Sequence, residues 1–99
     1  MAKIYELSNN NKIFQKVVYS KMIVIIEQVV GVAFKVEVEK DTTVWELKEK
    51  VDDVIGIHGT LQELIFQCEV MVNSKVLGDY NIKEGSVIMV TTKGPIRRT

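Results

Sequence analysis

The chain contains one cysteine, Cys68, and one histidine, His58. Nucleophilic catalysis or soft-metal binding would have to start from these two residues. Cys68 is followed by Glu69, and a negative neighbour disfavours the thiolate that carries cysteine chemistry. His58 falls in a loop after a helical segment, with no evident partner. Serines and aspartates are present, but no nucleophile motif surrounds them, and no glycine-rich phosphate loop occurs. One Cys and one His do not make a metal site of the Cys/His type. We therefore expect a chain that is not an enzyme and carries neither cofactor nor metal. A lone cysteine cannot close an internal disulfide, so a cytoplasmic or nuclear location is the default expectation.

At 99 residues, 46% apolar and 26% charged, the chain has the size and composition of one globular domain. No apolar run approaches the ~18–20 residues of a membrane span, and the start, MAKIYELSNNNK, lacks the apolar core of a signal peptide. Net charge is zero but unevenly spread. Residues 1–21 hold four lysines and one acid, and residues 93–99 hold Lys93, Arg97 and Arg98. The stretch between them holds six lysines against twelve acids. An acidic body with basic ends argues against nucleic acid as a partner of the domain itself. No membrane association is expected either, and the chain is expected to be a monomer.

The elements that would position any functional side chain follow from periodicity. Met22–Glu27 reads as a strand, and Gly31 suits a hairpin because it tolerates positive φ. Ala33–Glu39 alternates, with Phe34, Val36 and Val38 on one face. Thr43-Val44-Trp45-Glu46 is a capping box, followed by Val44, Leu47, Val51, Val54 and Ile55 at helical spacing and by Gly56 as a stop. A helix over Val44–Ile55 is predicted. Glu63–Gln67 and Glu69–Val72 read as short strands, Asn73-Ser74 as a turn, Asp79–Ile82 as a helical turn, and Ser86–Thr92 as the last strand. The class is α+β: a mixed sheet of four to five strands with one main helix packed across one face. The inward set is Met22, Val24, Ile26, Phe34, Val36, Val38, Val44, Leu47, Val51, Leu64, Met71, Leu77, Ile82, Ile88 and Val90. Residues 1–21 are expected to be a flexible extension and residues 94–99 a basic tail.

From Met22 to about Lys93 the chain resembles ubiquitin and ubiquitin-like domains, without a gap. The resemblance rests on the VEVE-x-x-x-T pattern at Val36–Thr43, Gly56-Ile57 after the helix, Leu64-Ile65-Phe66, and Asp79-Tyr80-Asn81-Ile82. It implies the β-grasp fold, with first and last strands adjacent and parallel at the sheet centre. It also implies that Tyr80 anchors a loop through its hydroxyl.

The sheet face away from the helix is the candidate site. Its expected members are Ile23, Ile25, Val29, Glu63, Ile65, Val87, Met89 and Thr91, mostly apolar where a solvated face should be polar. A connected apolar patch marks an interaction surface. The resemblance places Val29, Ile65, Met89 and Thr91 where ubiquitin carries its Leu, Ile, His and Val recognition set. Met adapts to varied partner surfaces. Glu63 stands where ubiquitin has an Arg beside the patch, a reversal that would repel partners built to meet a cation. Lysines that ubiquitin uses for chain building fall at Glu69 and Glu84, while Lys48 and Lys50 match ubiquitin lysines. Gly94-Pro95 cannot substitute for the Gly-Gly that conjugation requires, because Pro fixes φ and has no N–H. Trp45, near the helix start, is expected to be half-exposed, covering the loop at Asn73-Ser74 or the N-terminal extension, with a partner contact as the alternative.

The expected function is a non-conjugated ubiquitin-like interaction domain. It would dock through Val29, Ile65, Met89, Thr91, Glu63, Ile23 and Ile25 onto other proteins: ubiquitin receptors, the proteasome or adaptor proteins. Two alternatives stand: a ubiquitin-like modifier in truncated or precursor form, and a structural β-grasp domain whose face is covered by residues 1–21.

Overall fold

The structure is a computed structural model and describes residues 21–93. The expected extension over residues 1–21, apart from Lys21, and the expected tail over residues 94–99 lie outside the described residues. Strand β1 (Met22–Gln28) pairs antiparallel with β2 (Phe34–Val38), the two joined by the tight Val29–Ala33 connection. Gly31 takes φ 126° there, and the Gln28 side chain is folded under the turn, its Nε2 donating to the Val32 carbonyl at 3.0 Å. A Cβ at Gly31 would sit 2.8 Å from that nitrogen, so both conformation and space demand glycine.

Helix α1 spans Val44–Ile55, as its spacing predicts. The Glu46 N–H donates to Thr43 Oγ1 at 3.0 Å, and the Thr43 N–H donates to Glu46 Oε1 at 2.9 Å. Gly56 closes the helix in the left-handed region at φ 74°, its N–H donating to the Asp52 carbonyl. A 3₁₀ turn over Gly59–Leu61 follows, then β3 (Gln62–Phe66), the short β4 (Glu69–Val70), a second 3₁₀ turn over Leu77–Tyr80, and β5 (Val87–Thr92).

The sheet order is β2-β1-β5-β3-β4. β1 and β5 run parallel at its centre, and β3 pairs antiparallel with β5 and with β4. This is the β-grasp arrangement. Val44, Leu47 and Val51 of the helix join Val24, Ile26, Val36, Val38, Leu64, Phe66, Ile88 and Val90 of the sheet in one core, with Met71, Leu77 and Ile82 from the loops. Met22 and Phe34 pack at its margin, partly buried.

Several boundaries differ from those read from the sequence. β4 ends at Val70 rather than Val72. The Met71 N–H still donates to the Leu64 carbonyl of β3 at 2.8 Å, but the Val72 N–H donates to the Tyr80 hydroxyl at 2.8 Å and so leaves the ladder. That bond is also the anchoring role expected of Tyr80. Gln67 lies outside β3 because it and Cys68 turn the chain with φ of 51° and 67°. The Gly59–Leu61 turn carries no apolar period and is not foreseen by spacing. Phe66 joins the core by simple alternation with Leu64, though the inward set omits it.

Candidate functional site

The outer face of the sheet is built by strand parity. On β1 the side chains that alternate with buried Val24 and Ile26 are Ile23, Ile25 and Glu27. On β5 they are Val87, Met89 and Thr91, alternating with Ile88 and Val90. On β3 they are Glu63 and Ile65, between Gln62, Leu64 and Phe66. Register turns these into rows, because directly opposed residues share a face. Ile25 stands between Lys35 of β2 and Val87 of β5. Met89 stands between Glu27 of β1 and Ile65 of β3, and Ile65 is in turn opposite Val70 of β4. Thr91 stands opposite Glu63.

The structure thus brings Ile25, Ile65, Met89, Thr91 and Glu63 onto one surface. Ile23 lies further along β1, opposite Glu37, and Val29 lies just past the end of β1 in the hairpin connection, 71% exposed. Met89 and Val87 are exposed, whereas Ile23, Ile25, Ile65, Glu63 and Thr91 are half-buried among their neighbours. Two members escape the sequence reading. Glu27 shares the parity of Ile23 and Ile25, and alternation alone could have found it. Val70 is found only through its pairing with Ile65. The hairpin tip adds Val30 and Val32, both more than four-fifths exposed. Beside it lies a hollow of about 230 Å³ lined by Val29, Val30, Ile55, Ile57 and Val90 together with Gln28, Thr91 and Thr92.

The remaining candidates turn inward or to each other. Trp45 does not cover Asn73-Ser74, as the sequence suggests. Its ring meets His58 edge-on with centroids 5.9 Å apart and closes over Gly59, where a Cβ would come within 2.7 Å of the indole. Its Nε1 donates to Glu49 at 3.2 Å. Only its backbone N–H reaches the Asn73 carbonyl. His58 is not partnerless: the Thr60 N–H donates to its Nδ1 at 3.2 Å, capping the 3₁₀ turn. Cys68 is exposed in the β3–β4 turn. Among the described residues no cluster of His, Cys, Asp and Glu could hold a metal.

Two polar side chains are buried. Gln62 is fully enclosed, its Nε2 donating at 2.8 Å to the carbonyls of both Lys48 and Ile57. It stitches the helix and the chain after it to β3. Lys48 is only 3% exposed. Burial, aided by Lys93 and opposed by Glu63, lowers its pKa from the ordinary 10.5. Lys50 is exposed. No helix among the described residues is long and apolar enough to cross a membrane.

The ubiquitin family model matches residues 25–94. Over 59 residues the chain is 34% identical to the UV excision repair protein rhp23 of Schizosaccharomyces pombe. That alignment covers 60% of this chain and 16% of that protein, so the chain spans a minor part of the curated relative it matches. The family match covers well over half of the chain, and the parallel β1–β5 centre, the single capped helix and the Tyr80 anchor are the features of the resemblance: this chain belongs to the ubiquitin family.

Proposed function

We propose that residues 22–93 are a protein-interaction domain that docks through the outer sheet face onto ubiquitin receptors, proteasomal subunits or related adaptors. In this reading residues 1–21 are an extension and residues 94–99 a tail. One observation carries the proposal: Ile25, Ile65, Val87 and Met89 lie in two adjacent paired rows on a face that no described residue covers. Apolar side chains aligned on a solvated sheet face are the usual mark of a partner surface. Docking is favoured over conjugation because the residues after β5, Lys93-Gly94-Pro95-Ile96, hold a proline where an activating enzyme needs a side-chain-free glycine pair.

The test is an NMR titration of the isotope-labelled 99-residue chain with purified proteasomal ubiquitin receptors. Shifts should concentrate at Ile65, Met89 and their neighbours. If every receptor tried leaves this face unperturbed, the docking reading fails.

A further inference from the structure

We infer that the partner of this face is a cationic amphipathic segment, with apolar side chains over Ile25, Ile65, Val87 and Met89 and Lys or Arg side chains reaching Glu27 and Glu63. The inference rests on the docking reading above and adds the charge of the partner.

The two acids are built into the rows rather than scattered around them. Glu27 is directly opposite Met89, which is opposite Ile65, and Glu63 is opposite Thr91 one outward position further on. They stand on the two strands flanking β5, about 10 Å apart across the sheet. Along β1, Glu27 follows Ile25 on the same parity, so apolar groups border it along its own strand and across at Met89. No described cation lies within 4 Å of either acid, and the ion pair present among the described residues, Lys21–Glu37 at 3.7 Å, is elsewhere. Glu63 acts on Lys48 through space without contact. Lys35 lies at the β2 edge opposite Ile25, and Lys93 directly follows β5, with no ion pair to Glu63 within 4 Å.

Covering Met89 and Ile65 with any apolar surface also strips water from Glu27. That desolvation is costly unless a cation replaces the water. Lys and Arg meet the need twice over. Their heads form charge-assisted hydrogen bonds to carboxylates, and their aliphatic stems lie on Met89 and Thr91. An acidic segment would place like charges together at the moment of desolvation.

The experiment titrates the labelled full chain with two synthetic amphipathic helical peptides that share one Leu/Ile face. One carries Lys and Arg on its polar face and the other Glu. The cationic peptide should shift Ile65 and Met89 and bind about tenfold more tightly than the acidic one. The advantage should shrink as salt rises. The double variant Glu27→Lys, Glu63→Lys should reverse the order while keeping its thermal midpoint within a few degrees. If the acidic peptide binds this face equally or better, the charge assignment is overturned and the docking face stands. If neither peptide engages the face, the cationic assignment falls, and the docking reading is decided by the receptor titration. Both readings fall if the free chain shows Met89 contacts to residues 12–18, or Ile65 and Met89 shifts on dilution that mark a second copy as the occupant.

Discussion

Lys48 sits on the buried side of α1, and burial holds its pKa below 10.5. Its unfolded chain therefore binds more protons than the folded one in the interval between the lowered value and 10.5. Stability must rise with pH through that interval, and at neutral pH the ammonium costs stability. Lys48→Met keeps the aliphatic stem and removes the charge. It should raise the urea midpoint at pH 7 and flatten the rise on approach to pH 10.5. An unchanged or lowered midpoint would mean that the ammonium is compensated in the fold. Lys48 and Gln62 were both illegible in the sequence for the same reason. Polar residues are assigned outward by default, and only the closure of the helix over β3 encloses them. Gln62 even shares the parity of Leu64 and Phe66, but alternation does not say whether a polar residue at an inward position finds partners. Its amide nitrogen does so here, donating to the Lys48 and Ile57 carbonyls at 2.8 Å, while its Oε1 is buried without a partner among the described residues.

At the level of elements, α1 was the most legible because every local signal agrees. The capping box, the apolar spacing and the left-handed Gly56 all point to Val44–Ile55, and the helix has those bounds. Thr43→Ala removes the acceptor for the Glu46 N–H and should lower stability by about 1 kcal/mol, read as a fall in the urea midpoint without a change in slope. A neutral result would show that the Val44 N–H bond to the Lys75 carbonyl, at 2.9 Å, positions the helix start by itself. The short elements were less legible. β4 is short, its last link to β3 being the Met71 N–H to the Leu64 carbonyl before Tyr80 takes the Val72 N–H, and the turn at Gly59–Leu61 is shaped by the His58 cap and the Trp45 ring. The Tyr80 and Trp45 contacts join residues well separated in sequence, whereas the His58 cap is local to its turn. The same limit applies to Trp45, whose nearest aromatic partner lies thirteen positions on and is reached only after the helix has ended.

For the whole molecule, β5 is the strand that joins core and surface. Ile88 is fully buried beneath the helix, and its neighbour Met89 is 38% exposed between Glu27 and Ile65. Ile88→Ala should cost about 2–5 kcal/mol, whereas Met89→Ala should cost under about 1 kcal/mol. Urea melts of the two variants check this. Similar losses would mean that Met89 is covered in solution by part of the chain. Composition, periodicity and capping were enough to determine the elements, their inward parity and, through the family resemblance, the β-grasp fold, because these follow from short-range spacing and from a pattern of some seventy residues read in order. Alternation likewise determined that the outer face would be apolar. Only the tertiary structure decided which outward residues meet. Glu27 beside Met89 and Val70 beside Ile65 are set by pairing between strands distant in sequence, and register is a property of the closed sheet that no local period carries.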